Sequence, residues 1–142
     1  MSSSYLRSAA AGAAAATIWG LAEPLDRKLL RYDYSDIGLL GKAITRGPRW
    51  RTVGFALHAV NGIGFGLFYE AASRRLDVDR RRLALGLALA EHVGLYPLAY
   101  FVDRHHPARG EPGVPPLLSS GRAFAQATWR HAIFGTVLGR LA

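Results

Sequence analysis

Four stretches of the chain are almost free of charge. Residues 8–22 form an uncharged run of 15, residues 52–69 one of 18, residues 83–102 one of 20 broken only by Glu91, and residues 123–139 one of 17 broken only by Arg130. About 20 apolar residues in a helix cross the ~30 Å hydrocarbon core of a bilayer. The second and third runs meet that length, and the first and fourth reach across with flanking residues or by packing against neighbours. The competing arrangement, a soluble four-helix bundle, needs a polar outer stripe on each helix. Residues 53–69 offer almost none. The pattern predicts an all-α polytopic membrane helix bundle with four transmembrane helices.

Sliding the chain along itself by 73 residues aligns Pro24-Leu25 with Pro97-Leu98, His58-Ala59 with His131-Ala132, Gly62 with Gly135 and Gly66 with Gly139. The motif His-Ala-x-x-Gly-x-x-x-Gly thus recurs inside a run each time. One transmembrane domain over residues 1–142 is expected, made of two parallel-repeated helical hairpins (about residues 1–70 and 74–142). A pseudo-twofold along the membrane normal would relate them. Small residues also recur at fourfold spacing in every run, including Gly20, Gly62, Gly66, Gly94, Gly135 and Gly139. Such rows let membrane helices approach closely.

Between the first two runs, Ile37, Leu40 and Ile44 fall on one face of a short amphipathic stretch. It is read as an interfacial helix capped by Asp36, with Tyr32, Tyr34 and Trp50 as interface anchors. The third loop carries four of the seven prolines and is expected to be irregular.

Composition then narrows the class. The chain has 142 residues, a net charge of +8 and no cysteine, which excludes a disulfide scaffold and thiolate metal sites. Only one of its 18 Lys and Arg residues, Arg130, lies inside an apolar run. Arg74, Arg75, Arg80, Arg81 and Arg82 crowd the second loop beside two helix ends, and they are expected to meet anionic lipid rather than nucleic acid. That density favours both termini in the cytoplasm of a cell (inner) membrane protein. The total of basic residues on the other two loops favours the reverse. Residues 7–22 imitate a secretory signal, but Pro24-Leu25 belongs to the repeat, so this helix is expected to be retained.

Ionisable groups inside a bilayer usually have a partner or a task. Glu23, His58, Tyr96 and His131 are expected to form one polar layer, with Glu91 and His92 nearer the midplane and Glu23 coupled to His58. Pro24 and Pro97 each free a carbonyl near that layer. Such a layer suits handling of a proton, a cation or a small solute. Two alternatives stay open. His58 and His131 face each other in a bis-histidine haem site, or with Glu23 they supply three ligands to a divalent metal. Otherwise the histidines are polar glue, and the glycine rows dock a homo-oligomer or a partner membrane subunit. His105 and His106 read as ordinary loop surface. No Walker loop, strand-preceded GxGxxG or GxSxG elbow is present, and no nucleophile and base are paired by spacing, so an enzyme is not expected.

The segment Trp19-Gly-Leu-Ala-Glu-Pro-Leu25 resembles the YagU-like family of small bacterial inner-membrane proteins, in which a Trp-Gly, a Glu and a Pro close the first span. His58, Tyr69-Glu70, His92 with Pro97, and His131 with Gly135 continue the likeness in order. This chain departs in its shorter first loop and more basic second loop. The resemblance implies a multi-span helical inner-membrane protein and adds no defined chemistry.

Overall fold

The computed structural model describes residues 3–142. It is all-helical, with helices α1 (Ser3–Leu30), α2 (Asp36–Ile44), α3 (Trp50–Ser73), α4 (Arg80–Leu95), α5 (Ala99–His105) and α6 (Gly121–Leu141). A single 3-10 turn, Tyr96–Leu98, joins α4 to α5, where Pro97 withholds a backbone donor. Pro24 lies inside α1, which continues for six residues beyond it and ends at Arg31 in the left-handed region.

Two helical stretches are long and apolar enough to cross a membrane: Trp50–Ser73, of 24 residues, and Arg80–His105, of 26. The first and fourth runs do not reach that standard. Alanine dominates the apolar part of α1, whose last turns carry Glu23, Asp26, Arg27 and Lys28, and α6 holds Arg122, Gln126 and Arg130. Large apolar side chains nevertheless stand exposed on every long helix, among them Leu21 on α1, Ile63 on α3, Val93 on α4 and Trp129 on α6.

Packing follows the small residues. A Cβ placed on Gly12 would stand 2.0 Å from the Gly62 carbonyl oxygen, and one on Gly66 would stand 2.0 Å from that of Ser8, so α1 and α3 cross backbone to backbone. Gly20 meets Phe55 and Ile37, while Gly135 and Gly139 meet Ala84 and Ala88 of α4. Gly94 departs from the expected pattern. It faces open space, as does Gly86, so the row on α4 contacts no helix of this chain. The long helices form an open row, α3 against α1, α1 against α6 and α6 against α4.

Helix α2 is seated on α3, with Gly41 against the Trp50 carbonyl and Gly54 against that of Ile37. Its buried face is Ile37, Gly38, Gly41 and Lys42, so the expected face is rotated and Ile44 is exposed. The N-cap is Ser35, not Asp36: its hydroxyl accepts from the Gly38 N–H, which frees the Asp36 carboxylate for other partners. The third loop, although irregular, is pinned. Ser35 N–H donates to the Gly113 carbonyl, and Lys42 reaches Glu111 and the Pro112 carbonyl. His106 is buried, not surface. Its Nε2 donates to the Leu39 carbonyl and its Nδ1 accepts from the Ala108 N–H.

Candidate functional site

The densest polar cluster centres on Arg130, which is fully buried. It lies nine residues into α6, or about 14 Å at ~1.5 Å per residue. A guanidinium taken from water requires charge partners and filled donors. Arg130 has both. Its Nε donates to Asp26 Oδ2 at 2.7 Å and one terminal nitrogen to Asp26 Oδ1 at 2.6 Å. The other terminal nitrogen reaches Asp36 Oδ2 at 2.7 Å, and the Tyr34 carbonyl accepts a further bond. The Tyr34 ring lies 4.8 Å from the guanidinium carbon, and Gln126 Nε2 donates to Asp26.

Asp36 links this cluster to the aromatic interior. It accepts from Trp19 Nε1 at 3.0 Å and from the Tyr34 hydroxyl. Burial pushes the Asp36 carboxyl upward, but the Arg130 guanidinium, His58 and the Tyr34 hydroxyl together outweigh it and hold the group below its ordinary value. Glu23 belongs to the same end of the bundle. It accepts from the Ser35 hydroxyl and from the backbone N–H groups of Asp36 and Ile37, and its carboxylate is 3.7 Å from Arg130.

The expected polar layer is therefore divided. Among the described residues no hydrogen bond or ion pair joins Glu23 to His58; Glu23 binds the start of α2 instead. His58 and His131 pack edge-on against the same Trp19 indole, with ring centres 4.8 and 4.6 Å away. The two rings thus share one indole. Tyr96 donates to the Leu117 carbonyl and packs on His92. Among the described residues no group of three His, Asp or Glu is placed to hold a metal ion, so Glu23, His58 and His131 do not converge as ligands.

What the fold does bring together is His58, Trp19, His131, Glu91 and His92. His92 stacks obliquely on His131 at 4.8 Å, and the Thr128 hydroxyl, which donates to the Phe124 carbonyl, accepts from His92 Nε2. His131 Nδ1 donates to the Ala127 carbonyl, so in the neutral ring Nε2 is a bare acceptor. That atom faces Glu91 Oε2 at 3.8 Å. A cavity of about 160 Å³ lies beside these groups, lined by Trp19, Asp36, His58, Asn61, Glu91 and His131 among others. His58 is 7% exposed, and its Nε2 is buried without a hydrogen-bond partner among the described residues. A cleft of about 300 Å³ on the α5 side shares Asp36, Glu91 and His131 with that cavity.

Another buried acid closes the opposite end. Glu70 bonds Arg74, Arg80 and Ser8, so two of the five second-loop arginines are engaged within the chain, while Arg75, Arg81 and Arg82 stand exposed.

Sequence reasoning set Arg130 aside as an interruption of a run. The signal was present: a lone cation in an apolar helix needs a carboxylate beside it, and Asp26 and Asp36 were among the acids on that side. Comparison with protein-family models, curated proteins and solved structures gives no match.

Proposed function

We propose that the chain is an integral membrane protein of four spans, α1, α3, α4 with α5, and α6, built as two repeated hairpins, and that its interior takes up a proton or a small cation. Glu91 carries this reading. Its carboxylate stands beside a His131 nitrogen that has a free lone pair, so the two groups can share one added proton or close on one cation. Three more carboxylates, Glu23, Asp26 and Asp36, surround the single Arg130 cation nearby and leave the local charge negative. The exposed apolar side chains on all long helices favour lipid as their surroundings. The likeness to the YagU-like family is in keeping with a multi-span protein.

The docking alternative has less to draw on. Gly12 and Gly20 of α1, Gly54, Gly62 and Gly66 of α3, and Gly135 and Gly139 of α6 pack within the chain, which leaves Gly64 of α3 with Gly86 and Gly94 of α4 for a partner.

The test is decay of a pH gradient across liposomes holding the wild type, Glu91→Gln or His58→Ala, with melting followed in parallel. Faster decay than in empty liposomes, lost in Glu91→Gln without a lower melting temperature, is the expected result. Wild-type decay equal to that of empty liposomes, with and without added alkali-metal or ammonium ions, would refute the uptake.

A further inference from the structure

The open row of helices leaves a gap between α3 and α4. They are tied at their second-loop ends, where the Tyr69 hydroxyl donates to the Arg80 carbonyl and Arg80 binds Glu70. Beyond that point a groove of about 600 Å³ separates them, walled by Val60, Gly64 and Phe68 on one side and Leu87, Gly94 and Leu95 on the other. Nothing lies within 4 Å of where a Cβ on Gly64 or Gly94 would be.

The groove is not a closed surface feature. Asn61, Phe65 and Glu91 line both the groove and the inner cavity, and Glu91 also lines the cleft beside α5. Its side chain is 39% exposed, and His131 at 3.8 Å is its one charged partner among the described residues. A carboxylate at the mouth of an apolar groove inside a membrane is stabilised by a cation.

We propose, resting on the interior cation site above, that this gap is a lateral doorway through which the site takes the head of a single-chain cationic amphiphile from the bilayer, with the tail lying along the groove. Charge sets the sign of the head: Glu91 stands at the junction, with Asp36 behind it. The aromatic rings of Trp19, Phe65 and Phe134 line the cavity, and such faces favour an ammonium group. Shape sets the tail. A helix is about 10–12 Å across with its side chains and cannot follow the groove into the inner cavity, whereas an extended alkyl chain spans both. An anionic head would meet the carboxylates.

Trp19 provides the reporter, because Trp50→Phe and Trp129→Phe leave it as the one tryptophan of three. The full chain with those two changes is placed in nanodiscs and titrated with dodecyltrimethylammonium, dodecanol and tetramethylammonium. The expected result is a saturable change in Trp19 emission with the long-chain cation and none with the alcohol. Glu91→Gln should weaken that response about tenfold, the scale of one charge contact, and Glu91→Asp should retain most of it. Gly94→Phe, which fills the groove where space is open, should block dodecyltrimethylammonium and spare tetramethylammonium.

Equal affinity for the long-chain cation and for tetramethylammonium would leave the interior cation site standing and overturn the doorway. The same response to dodecanol, unchanged in Glu91→Gln, would overturn both the doorway and the cation preference. Silence toward all three probes would overturn the proposal. So would Asn61→Cys chains that cross-link through the groove into dimers with no response to the probes, because a second copy would then fill it.

Discussion

The Arg130 guanidinium grips Asp26 with two nitrogens, at 2.7 and 2.6 Å, and so ties α6 to α1 inside the bundle. A forked pair of this kind is directional as well as strong, because both bonds require one relative placement of the two helices. Losing Arg130 leaves Asp26 as an uncompensated buried charge, at about 3–5 kcal/mol, whereas losing Asp26 leaves Arg130 with Asp36 and Glu23. Arg130→Met should therefore lower the unfolding free energy in detergent by several kcal/mol, and Asp26→Asn by less. The double variant should lose less than the sum, since Asp26 is then no longer an unpaired charge. Additive losses would mean that the two residues do not act as a pair.

The crossing of α1 and α3 has a sharper steric limit. A Cβ on Gly62 would stand 2.4 Å from the Gly12 carbonyl oxygen and 2.7 Å from the Ala16 Cβ, and backbone cannot yield as a side-chain tip can. Gly62→Ala should destabilise the protein strongly. Gly94→Ala is the control: its Cβ enters open space and removes a helix-interior glycine, a gain of up to about 1 kcal/mol. Comparison of the two melting temperatures decides the matter, and equal effects would contradict the helix pairing.

Acid should loosen the first and third loops. The Asp36 carboxyl titrates below its ordinary value of 3.8, so its contribution to stability is fully present above that pH and is lost as the pH falls through the lower folded value. The hydrogen bonds from Lys42 and Arg46 lower Glu111 in the same sense, from an ordinary value of 4.5. Unfolding measured from pH 6 down to about pH 2 should show stability falling through this window. Asp36→Asn should flatten the fall. A wild-type profile unchanged by that substitution would exclude Asp36 as a source of the pH dependence.

Sequence periodicity revealed the helices well because apolar runs and fourfold rows of small residues are local signals. The charge network was harder to read. Arg130 and Asp26 are 104 positions apart, and only the docking of α6 on α1 makes them neighbours. The reading of His58 and His131 as symmetric partners overlooked Trp19, whose indole receives both rings. Asp36 was assigned to a cap because its position before Ile37 allowed it; Ser35, one residue earlier, takes that role and releases the carboxylate. Glu91 stood out as the lone charge in its run, but its place at the mouth of the groove depends on how far α4 lies from α3.

The central claim is that four helices cross a bilayer around this interior site, and the cysteine-free sequence allows it to be tested with single cysteines. Asp77→Cys in the second loop, Gly47→Cys in the first and Gly110→Cys in the third mark the two faces. Ile63→Cys and Val93→Cys mark outward positions in the middle of α3 and of the Arg80–His105 stretch, where Ile63 and Val93 are exposed on the protein surface. Labelling with a membrane-impermeant maleimide in sealed liposomes is the measurement. The account predicts that positions 47 and 110 react from one side, position 77 reacts from the other, and positions 63 and 93 stay unlabelled until detergent is added. Ready labelling of positions 63 and 93 in intact liposomes, or reaction of all three loop positions from the same side, would contradict it.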